Sequence, residues 1–264
     1  MKSTLFINIL TTRPLIYKEE GRELLQSWLE LIPEYFPLKY GNYEPLRADL
    51  DHNNLESALE LWAWPFLLKR NRPKMEGGVW MGGGARPTHG WIHIAFDFNP
   101  TFQRGLVNFL QEVSVKFSAD FAFLHLLTDR EVNPDDGTGT ISILNKNHAN
   151  LSVTTHDLVK YIPDVYWGMV FGRPYMDFFG GEKLLFSPVQ IAKRLSPDAI
   201  YLQLSDNLLD LETNFETLSD IRSSVKTHLN NNAFFNENLG ESHTYNAPQF
   251  HFLTDTLIRD KNKG

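Results

Sequence analysis

The chain has 264 residues, 42% hydrophobic and 13% aromatic, enough apolar side chain for a packed core and too much for an intrinsically disordered body. Twenty-five Lys and Arg stand against 32 Asp and Glu, a formal charge of −7, which opposes nucleic acid and anionic membranes and suits a basic protein partner. There is no cysteine, so disulfides, thiolate zinc sites and cysteine nucleophiles are excluded.

In chain order, Leu5, Ile7 and Ile9 alternate with Phe6, Asn8 and Leu10 and predict a half-buried opening strand. Asn8 and the short apolar run argue against a secretory leader, and no apolar stretch reaches the ~18 residues that span a bilayer, so a cytoplasmic protein is expected. A helix follows from about Glu19, its stripe made by Leu24, Leu25, Trp28, Leu29 and Ile32, and Pro33 to Pro37 ends it. Leu55, Leu59, Trp62 and Phe66 recur at helical spacing up to Arg72-Pro73, and the glycines between Met75 and Gly84 predict a bulged strand or a turn. Trp91 to Phe98 alternates as a strand, Leu106, Leu110, Val113 and Phe117 mark a helix, and Phe121 to Leu127 reads as a strand.

This order of strand, helix, two strands, helix and strand is that of a ferredoxin-like fold. The expectation is therefore α+β: an antiparallel sheet with helices packed on one face, or a duplicated or extended version of it. One α+β domain over residues 1–253 is expected, with a subdivision, if any, near 134–139 (Pro134 to Gly139), then a polar tail over 254–264. The second half carries a short strand at Thr140 to Leu144, a strand at Ile200 to Leu204 and a helix through Leu218, Ile221, Val225 and Leu229. That helix ends at Asn230-Asn231-Asn232, where left-handed geometry is cheap.

Candidate chemistry is sparse. Gly77-Gly78 and Gly82-Gly83-Gly84 lead to Ala85-Arg86-Pro87 and a strand, without the Gly-Lys-Ser/Thr of a phosphate loop. His89 and His93 lie four apart in an extended run, ~13 Å from one another and too far to share a metal. No G-x-S-x-G elbow supports a hydrolase triad. Catalytic, cofactor and metal residues are accordingly none. Acidic residues gather at Asp129, Glu131, Asp135 and Asp136, and again at Asp206, Asp210 and Glu212. Solvated surface is the first reading of these groups, a patch for a basic partner the second, and a catalytic carboxylate pair the third.

The segment from Tyr161 to Leu185 is dense in rings and glycines. Tyr166, Trp167, Phe171, Tyr175, Phe178 and Phe179 are expected to be mostly core, with one or two rings partly exposed, and Gly172-Arg173-Pro174 is expected to break regular structure. The run Tyr161-Ile-Pro-Asp-Val-Tyr-Trp-Gly, Phe171-Gly-Arg-Pro-Tyr and Phe179-Gly-Gly-Glu-Lys-Leu-Leu resembles the signature of the bacterial polymorphic-toxin immunity proteins of the immunity protein 52 family. Ile221-Arg222, Val225-Lys226, His228-Leu229, Ala233-Phe234-Phe235 and Ala247-Pro248-Gln249-Phe250 resemble its closing helix and tail, and Val79-Trp80 and Trp91 to Phe98 its strands.

The resemblance implies a non-enzymatic inhibitor that binds and neutralises a cognate bacterial toxin by steric and electrostatic occlusion; related systems often deploy nucleases, whose clefts are basic, and a non-nuclease toxin is the alternative. It carries no catalytic or ligand residue over to this chain. The partner-binding residues expected are Asp129, Glu131, Asp135, Asp136, Asp206 and Asp210, with Trp80 and Tyr175 as ring anchors. The alternatives are a hydrolase that uses a carboxylate pair, and a domain of a larger secretion complex. The partner expected is a toxin protein, without direct nucleic-acid or membrane binding.

Overall fold

The computed structural model describes residues 4–82, 87–128, 151 and 153–252. The first half runs β1 (Thr4–Thr11), α1 (Lys18–Leu31), β2 (Lys39–Gly41), β3 (Ala48–Asp49), α2 (Glu56–Leu59), β4 (Phe66–Asn71), β5 (Lys74–Trp80), β6 (Gly90–Asp97), α3 (Gln103–Lys116) and β7 (Phe121–Leu127). The second half adds α4 (Thr155–Leu158), β8 (Gly168–Phe171), α5 (Arg173–Phe179), α6 (Gly181–Leu185), β9 (Ile191–Ser196), β10 (Ala199–Gln203), α7 (Asp210–Thr213) and α8 (Phe215–Leu229).

All ten strands join one sheet in the order β3-β2-β4-β5-β6-β1-β7-β8-β10-β9, and every pairing between them is antiparallel. Its centre, β5-β6-β1-β7 with crossovers through α1 and α3, is the ferredoxin-like arrangement. Three strands extend it on each side.

The pleat assigns two faces. Leu5, Ile7 and Ile9 of β1 pair with Phe96, Ile94 and Ile92 of β6 and turn toward α1 and α3. There Trp28 meets Phe96 and Phe109 with ring centroids 6.5 and 5.4 Å apart. Each such side chain, fully buried, contributes about 1.5–3 kcal/mol. α1 starts where it does because the Glu20 carboxylate accepts the Tyr17 N–H at 2.7 Å and pairs with Arg13 at 3.0 Å.

The opposite face of β7, β8 and β10 is covered by the second half. Tyr166 stacks on Phe123 at 3.7 Å, and Tyr175 of α5 packs on Phe121 and Phe171, each at 5.5 Å. The ferredoxin-like centre thus keeps its two helices on one face, α2 packs beside α1 through Leu59, and the second half places its helices on the other face.

Several expectations change. β1 is buried on both faces rather than half-buried, because it is a central strand. Asn8 tolerates this because its Oδ1 accepts from Trp91 Nε1 and His93 Nδ1, both at 2.8 Å. The helix expected through Phe66 is only the four residues of α2. Pro65 has no N–H to continue a helix, and Phe66 opens β4.

The glycines of β5 make no bulge: its register with β4 and β6 is unbroken, and a Cβ at Gly77 would strike the His93 carbonyl. Gly172-Arg173-Pro174 does break regular structure, at the end of β8, and it also opens α5, since proline fits a first helical turn. Asn230 is extended at φ 173° rather than left-handed, and its side chain caps the Asn232 N–H at 3.0 Å. β2, β3, β8 and β9 have no counterpart among the expected strands; β2 and β3 are too short to show a period. The strand at 140–144, the 134–139 subdivision and the 254–264 tail lie outside the described residues.

Candidate functional site

Of the acidic residues singled out, Asp129, Glu131, Asp135 and Asp136 lie outside the described residues. Asp206 and Asp210 follow β10 at one end of the sheet. Gln103, the first residue of α3, holds this loop: its amide donates to the Asp206 carbonyl at 2.8 Å and its oxygen accepts the Leu208 N–H at 2.9 Å. Gln190 donates to Asp206 Oδ2 at 3.2 Å, and Asn214 to Asp210 Oδ1 at 2.7 Å. Thr128, at the end of β7, donates to the Leu211 carbonyl at 3.5 Å, so the chain leaves β7 beside the same loop.

Glu212, Glu216 and Asp220 continue this surface along α7 and α8 and are exposed, as is Asp206, while Asp210 is half-exposed. From Asp206 to Asp220 there are five acids and no Lys or Arg, and none of the five has an ion-pair partner among the described residues. Glu216 and Asp220 were legible in the sequence from their four-residue spacing with Glu212.

Trp80 sits at the other end of the sheet, where β1 ends at Thr11 and β6 begins at Gly90. The two locations are separated by about the length of a strand, ~24 Å for eight residues, so the structure does not bring Trp80 together with Asp206 and Asp210. Trp80 stacks on Trp91 at 4.5 Å. The pair lines a cleft of about 250 Å³ with Trp64, His89, Thr155 and His156. Trp64 is 67% exposed and Tyr43 80%; the intervening backbone is tied together by Asn42, whose amide donates to the Leu61, Ala63 and Pro65 carbonyls. Sequence reasoning missed these two rings, whose only signal was aromatic residues next to loop prolines.

Tyr175 is not a surface anchor. Its side chain is fully buried, held by Phe121, Phe171, Phe179 and Phe250, and offers a partner no area. Tyr166, Trp167, Phe171 and Phe179 are buried as well, which leaves Phe178 as the partly exposed ring of the segment.

Near Tyr175 lies a buried polar group that the sequence did not reveal. Asp120 precedes β7, its backbone pinned by Asp120 N–H to Leu10 O at 2.8 Å and Gly172 N–H to Asp120 O at 2.9 Å. Its carboxylate accepts the Thr12 backbone N–H in a short hydrogen bond. His89 Nε2 stands 3.6 Å away, while His89 Nδ1 faces the Thr155 hydroxyl at 2.8 Å and Phe250 and Phe252 flank the ring. Burial pushes Asp120 up to about 6 against the pull of the Thr12 hydrogen bonds, and burial pushes His89 down to about 4. Asp120 floors a cleft of about 580 Å³ whose walls include Arg173, Asp177, Phe178, Pro248 and Gln249.

Among the described residues no group of three or more His, Asp or Glu could hold a metal ion, and no helix is long and apolar enough to cross a membrane.

No family model matches the chain, and no curated protein matches it. Among solved structures it is similar to the Pseudomonas aeruginosa T6SS protein PA0821, with 11% identity and a TM-score of 0.49 over 84% of this chain and 72% of that one, a likeness too distant to carry an argument about function.

Proposed function

We propose that this protein is an immunity-type inhibitor that binds and neutralises a basic bacterial toxin, a nuclease, by covering it, without chemistry of its own. The observation that carries this reading is the run of five acids from Asp206 to Asp220, which has no Lys or Arg within it and no internal ion pair among the described residues. Carboxylates left unneutralised on a folded surface are available to an external cation, and opposed potentials speed encounter and set register. A nuclease must attract phosphate, so its cleft supplies the complementary charge. The resemblance of the Tyr161 to Leu185 segment to the immunity protein 52 signature supports the same reading.

The test is co-expression with each reading frame adjacent to this gene, scored first for toxicity and then for rescue. Growth that depends on this protein, and recovery of the pair as a complex that weakens with salt, support the reading. A toxic neighbour that this protein neither rescues nor binds removes it.

A further inference from the structure

We propose that the cleft floored by Asp120 receives an arginine side chain from the protein partner. This rests on the reading above for the source of the side chain, and it identifies a contact separate from the Asp206–Asp220 surface.

The Asp120 side chain is only 8% exposed, yet no Lys or Arg of the described residues pairs with it. The groups around it are accounted for. His89 faces it as a neutral ring, because burial holds the imidazole well below its ordinary range. Tyr175, on α5, is buried and feels the Asp120 charge, with its hydroxyl held protonated by burial. Arg173 at the rim is engaged by Asp177 at 2.8 Å and by Asp198 at 3.2 Å. Arg13, next to Thr12 in the chain, is engaged by Glu20 at 3.0 Å. His251, on the C-terminal segment, lines the cleft and has no ion pair among the described residues. Thr12 supplies the hydrogen bonds Asp120 does receive, through its backbone N–H and its hydroxyl. A carboxylate taken out of water without a cation is a costly arrangement. Here it persists at the floor of an open cleft large enough for a ligand side chain.

The chemistry of the walls selects the cation. Phe178 and Pro248 give apolar surface for a flat group, and Gln249 adds a polar amide at the rim. A guanidinium is planar, weakly hydrated and able to stack on a phenyl ring while donating two N–H bonds to a carboxylate; an ammonium loses more hydration on entering. The proposed site is thus an arginine slot: Asp120 at the base, Phe178 on the wall, and the partner's backbone outside.

The experiment titrates the full chain with N-acetyl-arginine amide and follows the Thr12 amide by proton–nitrogen NMR, since that N–H is bonded to Asp120. The expected result is a saturable shift of Thr12. It should weaken severalfold as pH falls below about 6, where Asp120 takes up a proton. N-acetyl-citrulline amide, of the same shape but uncharged, should not reproduce it, and Asp120→Asn should lose it. An unmoved Thr12, or equal shifts from the arginine and citrulline probes, overturns the proposal; the citrulline comparison needs only the native protein, so it decides even if Asp120→Asn fails to fold. Arginine binding without toxin neutralisation would sink the functional reading and leave the slot standing. Neutralisation without arginine binding would do the reverse.

Discussion

Asp164 Oδ1 lies 2.7 Å from Lys226 Nζ, and this ion pair ties the segment before β8 to α8 across the second face of the sheet. The Asp164 side chain is 9% exposed and that of Lys226 28%. Burial alone would raise the Asp164 carboxyl. The Lys226 and Arg222 charges, with hydrogen bonds from Lys226 and the Val165 N–H, outweigh it and hold the group below its ordinary value. A depressed carboxylate stabilises the fold above its unfolded pKa of ~3.9 and loses that contribution as pH falls through its folded value. Asp164→Asn is therefore expected to lower stability at pH 7 toward the lower end of about 3–5 kcal/mol, since Lys226 keeps part of its surface in water. Urea unfolding at pH 7 and pH 3 checks this. The gap between variant and wild type should narrow at pH 3, and equal stabilities at pH 7 would show that the pair does not hold α8.

Asp120 behaves with the opposite sign. Its folded value, raised by burial to about 6, lies above its ordinary value of 3.8, so the folded state binds its proton more tightly than the unfolded chain does. Stability from this group is full below pH ~4 and is lost as pH rises through about 6, by an order of ~3 kcal/mol for a shift of about two pH units. Asp120→Asn keeps an oxygen for Thr12 and removes the charge. Its stability should therefore vary less between pH 4 and 7 than that of the wild type, with a Tm at pH 7 equal to or above it. Parallel pH profiles for the two proteins would contradict the burial of this carboxylate.

Tyr175 separates ring from hydroxyl. The hydroxyl is buried and has no hydrogen-bond partner among the described residues. Tyr175→Phe should leave stability unchanged or raise it by up to about 1 kcal/mol. Tyr175→Ala should cost about 3–5 kcal/mol, as for a buried aromatic. A large loss in the phenylalanine variant would mean that the hydroxyl is bonded after all.

Long, strongly periodic elements were legible in the sequence. The stripe from Leu24 to Ile32, the alternation from Trp91 to Phe98 and the helix through Leu218 and Leu229 announce themselves because one packed face dictates their spacing. The order of these elements was enough for the ferredoxin-like centre. Phe66 was misplaced because its spacing from Leu59 and Trp62 mimics a helix, while Pro65 decides the local geometry. The Tyr161 to Leu185 segment gave its burial but not its helices, since proline opens a helix as readily as it ends one.

The candidate site was less legible for a different reason. Asp206 and Asp210 were found from local charge density, which a sequence shows directly. Asp120 was not, because its character comes from Thr12, His89 and Tyr175, contributed by the end of β1, the approach to β6 and α5. Only folding converges those groups.

Gly77 tests the sheet itself. Gly77→Ala places a methyl group against the His93 backbone carbonyl, which cannot swing aside as a side chain can. The variant should lose about 1–3 kcal/mol, the usual cost of overpacking. Wild-type stability would show that β5 and β6 have room to separate.

The most direct test of the central claim is the affinity of the purified chain for the product of whichever adjacent reading frame proves toxic, measured for wild type and for Asp206→Lys with Asp210→Lys combined. The account predicts binding that weakens with added salt and falls at least tenfold in the double variant, with Tm lowered by a few degrees at most, because the bonds lost from Gln190 and Asn214 are exposed ones. Affinity equal to wild type in a folded double variant, or no binding by either protein, would contradict it.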